Sequence, residues 1–152
     1  MFKLKGIAAA SGINIGPAYR IDKEEFVIPR QPIREDEIPL QIQIFEEALI
    51  QTRREIIELQ KRIAKDMGQD EAEIFDAHLL VLEDRMIIEE VILRLKKERV
   101  NVAAIFSEVL KKYINVFSKI EDEYLKERTV DVNDVGKRIL RNLLGRKQST
   151  LE

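Results

Sequence analysis

The only histidine of the chain, His78, lies within a strongly acidic segment, DEAEIFDAHLLVLED, residues 70–84. Six carboxylates and no basic residue accompany it: Asp70, Glu71, Glu73, Asp76, Glu83 and Asp84. A histidine can relay protons, ligate a metal or accept a phosphoryl group, and clustered carboxylates attract basic groups. This segment is therefore the first place to look for a functional site.

The residues alone leave two interpretations of His78 open. It shares a stripe at helical spacing with Ile74, Phe75, Leu79 and Leu82, which is typical of a buried, hydrogen-bonded histidine. The alternative is a histidine that accepts a phosphoryl group. A metal site is disfavoured, because Phe75 occupies the glutamate position of a Glu-x-x-His motif and the chain has no cysteine.

The acidic charge also has two interpretations. One is a docking surface that steers a basic partner in a salt-dependent way. The other is a solvated helix face whose charge is balanced by Arg and Lys from neighbouring helices.

Nucleotide and nucleic-acid sites are disfavoured by spacing. Gly12 and Gly16 lack the lysine and hydroxyl of a phosphate-binding loop. Basic residues cluster near the end of the chain without interleaved aromatics, at a helix C-terminus where cations are favourable anyway: Lys137, Arg138, Arg141, Arg146 and Lys147. The net charge of −2 also argues against nucleic acid as a partner.

Composition indicates one soluble globular domain. The chain has 152 residues, of which 45% are hydrophobic and 36% charged. The absence of cysteine favours a reducing cytoplasm. No apolar run approaches the ~18 residues of a membrane helix, and no signal-peptide pattern is visible.

Helix-breaking residues are concentrated before residue 40, where all four prolines lie. Short extended strands are therefore expected at residues 5–9, 13–15 and 26–28, followed by helices. A first long helix is predicted to run from about Arg34 or Pro39 to about residue 67, and to stop at Gly68. Its apolar residues alternate spacings of three and four, as in helical hairpins: Ile42, Phe45, Leu49, Thr52, Ile56, Leu59 and Ile63.

Further helices are predicted at about residues 70–84 and 86–97. Asn101 is expected to be the N-cap of the next helix, which runs to about residue 120, and a last helix ends at Gly145. The spacing alone would allow the last two to form one continuous helix. Gly136 within the last helix predicts close helix packing. The expected fold is mainly α: an antiparallel bundle of the four-helix type with a kinked second helix, preceded by short extended strands.

Three segments resemble, in order and spacing, the N-terminal part of enzyme I of the bacterial phosphotransferase system, the phosphoenolpyruvate-protein phosphotransferase family. KGIAAASGINIGPAY is similar to the family's opening K-G-I-A-A-S-P-G-I-A-I-G. EAEIFDAHLLVLED is similar to E-A-x-I-F-x-A-H-x-x-x-L-E-D, and DEYLKERTVDVNDVGKRILRNLLG is similar to D-E-Y-L-x-E-R-x-x-D-x-x-D-x-G-K-R. The family's phosphoacceptor histidine, in a G-G-x-T-S-H motif, has no counterpart in this chain.

The resemblance implies a helical domain that docks the phosphocarrier protein HPr. Residues 1–30 are then opening strands of an incomplete α/β phosphohistidine domain, residues 31–145 the HPr-binding domain, and residues 146–152 a tail. The implied docking residues are Asp70, Ile74, His78, Val81, Asp84, Ile87, Phe117 and Arg128. Arg128 either contacts the partner or braces the acidic helix.

The resemblance also implies a cytoplasmic fragment of a phosphotransferase that serves sugar uptake and is inactive alone. Its partners would be HPr and the remaining domains of enzyme I, with no nucleic acid and no membrane, and the fragment would be monomeric. No cofactor is expected in this chain, since phosphoenolpyruvate and Mg²⁺ belong to the C-terminal domain of the parent. The alternative function is a structural or self-associating helical-hairpin protein with no phosphotransfer role.

Overall fold

Most of the described chain is helical. The structure, a computed structural model, describes residues 3–7, 10–17 and 27–145. In the last range a 3-10 turn, Glu35–Glu37, precedes α1 (Ile38–Asp66), α2 (Gln69–Ala72), α3 (Ile74–Val81), α4 (Arg85–Glu98), α5 (Val102–Ser118) and α6 (Glu123–Leu143). Among the helices of these ranges, none combines the length and hydropathy needed to cross a membrane.

The four longer helices form a bundle. α5 packs against α4 and α6, while α1 packs against α5 and α6. The short turns at residues 99–101 and 119–122 make α4–α5 and α5–α6 antiparallel neighbours. The mainly α fold with four main helices is thereby confirmed.

Local sequence signals account for the ends of these helices. Pro39 is in the first turn of α1, where a missing N–H costs little. Gly68 follows α1 with φ +123°, a conformation that favours glycine, as its predicted role as a stop requires. Asp84 and Asp122 are the N-caps of α4 and α6 and accept hydrogen bonds from first-turn N–H groups.

The α1 residues that were predicted to alternate spacings of three and four, which we call the seam, face the core. Phe45, Thr52 and Ile56 are buried, and the other four members of the seam are half-buried. Thr52 is a polar member whose hydroxyl is satisfied: it donates to Ala48 O at 2.7 Å and accepts from Asn142 Nδ2 at 2.9 Å. This pair joins α1 to α6, so the seam serves the packing of these two helices.

Gly136 of α6 lies against the Leu110 side chain of α5. A Cβ added there would lie 2.5 Å from Leu110 Cδ2 and 2.6 Å from Leu110 Cδ1. Its φ is not positive, so space and not backbone conformation requires the glycine. The predicted reason for this glycine, close helix packing, is confirmed.

An arm, residues 27–34, lies on the α4–α5 turn. Ile33 N donates to Arg99 O, and Asn101 N donates to Gln31 O, each at 3.0 Å. Asn101 is the N-cap of α5 by position, but its side chain accepts from Gln31 N at 2.8 Å. The first N–H of α5 is instead satisfied by Gln41 of α1. The Asn101 side chain, which was expected to cap α5, therefore binds the arm instead.

The guanidinium of Arg30, in the arm, belongs to a network of ion pairs with side chains of α4 and α5. It forms ion pairs with Glu98 at 2.9 Å and with Glu108, and Arg94 pairs with the same two carboxylates. Hydrogen bonds from Arg94, and after it Arg30, lower the pKa of Glu98 to about 2 from an ordinary 4.5. The network therefore attaches the arm to two helices at once.

This network makes part of the stability sensitive to acid. Because the folded carboxylate binds protons less tightly than the unfolded one, Glu98 stabilises the fold fully above about pH 4.5. That contribution is lost as the pH falls towards about 2. We expect the Glu98→Gln variant to be less stable than wild type at pH 6 and equally stable near pH 2, in urea unfolding at each pH.

The control for that experiment is Glu46→Gln on α1, an exposed glutamate with no ion pair to a described residue. Its unfolding curves are expected to follow wild type at every pH. A constant difference between Glu98→Gln and wild type from pH 6 to pH 2 would contradict the assignment.

The expected N-terminal strands are not found in the described residues. Residues 5–7, 13–15 and 27–28 have no strand, and the described chain holds only an isolated bridge between Pro32 and Val100. A strand needs a neighbour for its hydrogen bonds, and here Ile7, Ile13 and Ile15 are almost fully exposed. Ala8, Ala9, Phe26 and the tail at residues 146–152 lie outside the described residues.

The kinked second helix is likewise not confirmed. The segment predicted to bend is divided into α2, α3 and α4. The main break precedes α4, where Asp84 is extended, with φ −68° and ψ +104°, and caps the new helix. The alternative of one helix across residues 119–122 also fails, since Asp122 caps α6 in the same way. Both breaks follow from an aspartate that competes with continued helix for the backbone N–H groups.

Candidate functional site

The acidic segment forms one edge of the bundle. α3 packs against α1 and α6, and α2 packs against α1. The outward carboxylates of this edge, which we call the acidic surface, are all exposed: Asp70, Glu71, Glu73, Asp76 and Glu83. Short helices held by longer ones thus expose five carboxylates.

Neighbouring helices balance this charge only in part. Arg53 of α1 pairs with Glu83 at 2.8 Å, and Gln60 donates to Asp76 at 2.8 Å. Asp70, Glu71 and Glu73 form no ion pair with any described residue. One carboxylate of the acidic surface is therefore balanced by an ion pair, and three have no ion-pair partner among the described residues.

Exposed apolar side chains lie within the acidic surface. Ile74, Leu80 and Met86 are 57%, 60% and 71% exposed. Leu80 follows Asp76 by four residues, so these two side chains share one face of α3. The segment therefore exposes apolar side chains as well as carboxylates.

Two of the implied docking residues are not among these exposed apolar side chains. Val81 and Ile87 are 8% and 6% exposed and belong to the core cluster. Sequence reasoning selected them and missed their exposed neighbours Leu80 and Met86. The usable signal was the spacing of Leu80 from Asp76, which places it on the polar side of α3.

Asp84, Arg128 and Tyr113 meet at the junction of three helices, and we call them the junction cluster. Arg128 Nη2 lies 3.1 Å from Asp84 Oδ2, and its Nε donates to the Tyr113 hydroxyl at 3.4 Å. The side chain of Asp84 is only 8% exposed and also accepts from Met86 N and Ile87 N. Arg128 thus pairs with the last carboxylate of the acidic segment, at the N-cap of α4.

Phe117 extends the junction cluster towards the surface. Its ring lies on the Tyr113 ring, with centroids 4.4 Å apart and planes inclined by 30°. Phe117 itself is half-buried. Of the eight implied docking residues, Asp84, Phe117 and Arg128 are therefore connected through Tyr113, while Asp70 and Ile74 are exposed on α2 and α3.

His78 is half-buried between α3 and α6. Its side chain is 12% exposed, Nε2 lies 3.2 Å from Asp131 Oδ1, and the ring meets Phe75 edge-on at 5.5 Å. This is the hydrogen-bonded histidine that the apolar stripe predicted. Across the described ranges, no group of three or more His, Cys, Asp or Glu side chains is arranged to hold a metal.

Comparisons with known proteins match most of this chain. The family described as PEP-utilising enzyme, N-terminal, matches residues 5–128. Phosphoenolpyruvate-protein phosphotransferases of Priestia megaterium and Bacillus subtilis strain 168 are 38% and 34% identical over 94% and 95% of the chain. The chain spans about a quarter of the length of each of these curated relatives, 25% in both cases.

A solved structure is similar as well. The NMR solution structure of an Enzyme I (nEIt) protein superposes with a TM-score of 0.72 at 38% identity. The match covers 80% of this chain and 49% of that one.

Proposed function

Because the chain belongs to the family of PEP-utilising enzyme N-terminal domains, we propose that it is the HPr-docking part of a phosphoenolpyruvate-protein phosphotransferase. The complete enzyme passes a phosphoryl group from phosphoenolpyruvate through a histidine to HPr, in the cytoplasm, for sugar uptake. Phosphoenolpyruvate and Mg²⁺ are assigned to its C-terminal part, and the present residues are assigned to docking alone.

One observation carries the proposal: exposed apolar side chains stand among carboxylates that no described basic residue balances. In the family that the sequence resembles, HPr presents its active histidine beside basic and apolar surface. Leu80 and Ile74 are suited to the apolar part, and Asp70, Glu71 and Glu73 to the basic part. Apolar centres contribute most of the affinity of such interfaces, and charged margins set the association rate and its salt dependence.

The implied docking residues take different roles in this proposal. Asp70, Ile74 and Phe117 contact HPr, and Leu80 and Met86 join them because they are exposed. The other members support the surface from beneath, since they are buried or engaged within the bundle: His78, Val81, Asp84, Ile87 and Arg128.

Docking serves the reaction through geometry. A bound HPr whose histidine is held in line with a phosphohistidine reacts in an effectively unimolecular step. None of the residues assigned here exchanges the phosphoryl group, and the chain is expected to be inactive alone. The His78–Asp131 contact supports this division, because a ring in that environment is poorly accessible to a large phosphodonor.

The domain boundaries are part of the proposal. Residues 31–145 are assigned to the docking domain, residues 1–30 to an incomplete α/β domain, and residues 146–152 to a tail. Pro29 and Arg30, the last residues assigned to the first part, bond to Asn101, Glu98 and Glu108 of the second.

The test is an NMR titration of the isotope-labelled chain with HPr from the same genome, at low and moderate salt. Shift changes centred on residues 70–87 that weaken with salt would support the proposal. A folded chain that shows no changes at either salt concentration would exclude it.

Leu80→Ala tests the apolar centre. We expect it to weaken HPr binding about tenfold, the loss typical of a truncated central residue, while leaving unfolding unchanged because Leu80 is exposed. Calorimetric titration measures the affinity. The matched control is Leu40→Ala, an equally exposed leucine at the start of α1, which is expected to bind as wild type. Equal affinities for both variants would remove Leu80 from the interface.

A further inference from the structure

Tyr113 is the only member of the junction cluster absent from the docking residues that the sequence implied. Its hydroxyl accepts a hydrogen bond from Arg128 Nε at 3.4 Å and donates one to Asp84 Oδ2 at 3.5 Å. It therefore touches both partners of the ion pair between the start of α4 and α6. Tyr113 itself is on α5, so one hydroxyl connects three helices.

The ring of Tyr113 has a second neighbour of functional interest. Phe117, one turn later on α5, lies against it at 4.4 Å between centroids. An aromatic pair at this distance restricts the orientation of both rings. The position of the half-buried Phe117 ring therefore depends on where Tyr113 is held.

From this geometry we propose that Tyr113 is a positioning residue for docking: its hydroxyl fixes the α4 start and the Phe117 ring in the arrangement that the partner binds. The inference rests on the docking function proposed above and adds to it a residue that contacts the partner only through others. The hydroxyl sets the relative position of Met86, two residues after Asp84, and Phe117 on the neighbouring helix.

The electrostatics of the junction cluster agree with this role. The Tyr113 hydroxyl, and to a smaller extent the Asp84 carboxylate, raises the pKa of the Arg128 guanidinium despite its partial burial. Arg128 is charged at neutral pH in any case, and its Nη2 and Nε reach Asp84 and Tyr113. The hydrogen bonds of the hydroxyl are near the upper limit of hydrogen-bond length, so each contributes modestly and the expected effect is severalfold.

The experiment compares Tyr113→Phe with wild type in the full chain. Phenylalanine keeps the ring against Phe117 and removes only the hydroxyl. We expect HPr binding two- to tenfold weaker by calorimetric titration, because without the hydroxyl the arrangement that the partner binds is only part of the population. The Nε–Hε resonance of Arg128 is expected to shift, and the urea midpoint to stay close to that of wild type.

Tyr124→Phe is the matched control, because Tyr124 is 70% exposed on α6 and forms no hydrogen bond to a described residue. It is expected to bind HPr as wild type and to leave the Arg128 resonance unmoved. Wild-type affinity in Tyr113→Phe would overturn this inference alone, and so would a loss of binding matched by an equal loss of stability. Absence of binding by wild type would overturn the docking function as well.

Discussion

Asp84→Ala is expected to lower the free energy of unfolding by about 3 kcal/mol. Two losses add. The cap of α4 disappears, because Asp84 Oδ1 accepts from Met86 N at 3.0 Å and Ile87 N at 3.4 Å. Arg128 also loses its carboxylate at 3.1 Å and stays partly buried without that partner. Urea unfolding followed by circular dichroism measures the change.

Two variants separate the cap from the ion pair. Asp84→Asn keeps a capping oxygen but loses the charge, so its destabilisation is expected to be intermediate. Asp122→Ala removes the other aspartate cap, which accepts from Leu125 N at 3.3 Å and has no ion pair with a described residue. Its cost is expected to be about 1 kcal/mol. Equal costs for Asp84→Ala and Asp122→Ala would mean that the pair with Arg128 contributes nothing.

Gly136→Val is expected to cost a similar amount, about 3 kcal/mol. Even the first carbon of a side chain would approach Leu110 Cδ2 to 2.5 Å and Leu110 Cγ to 3.1 Å. Leu110 is itself 5% exposed, so it has little room to move away. The larger branched side chain must therefore separate α5 from α6, and the loss is measured as a lower urea midpoint.

The effect of Gly136→Ala on stability tests this explanation, because its sign is expected to differ between two backgrounds. In the Leu110→Ala background the obstructing atoms are gone, and Gly136→Ala is then expected to stabilise the chain by up to about 1 kcal/mol, the intrinsic preference of a helix for alanine. In the wild-type background the same Gly136→Ala change is expected to destabilise, because overpacking exceeds that preference. The same sign in both backgrounds would show that Leu110 is not the obstacle.

Both predictions concern the part of the molecule that carries the candidate docking surface. Asp84 holds the start of α4 next to Met86, and Gly136 sets how closely α5 approaches α6 beneath it. Replacement of either residue is expected to change the spacing between α3, α4 and Phe117. HPr binding by these variants therefore has to be measured under conditions where each remains folded.

Much of the helical framework could be predicted because its signals are local. The spacing of Phe45, Thr52 and Ile56 defined the buried side of α1, and Gly68 defined its end. Gly136 indicated a close helix contact, since a glycine that lowers helix stability within a helix needs a packing reason. The N-terminal strands could not be predicted in the same way, because a strand depends on a partner that local pattern does not supply.

The candidate site was predictable only in part. Its location on residues 70–84, and its charge, follow from the sequence, as does a half-buried His78 on an apolar stripe. Which side of α3 faces outward did not follow. Ile74, a member of the apolar stripe and an implied docking residue, is exposed, while Val81, also an implied docking residue, is buried, because α1 and α6 cover one arc of this short helix.

The sequence by itself determined the family, the helical periodicities, the breaks at glycine and the acidic character of one segment, since each depends on residues close together along the chain. Only the tertiary structure decided which charges are balanced and which apolar side chains are available to a partner. Arg53 with Glu83, Arg128 with Asp84 and His78 with Asp131 are pairs of residues far apart in sequence. Such pairs form because packed helices bring them within a few ångströms, and helix packing is a property of the whole core.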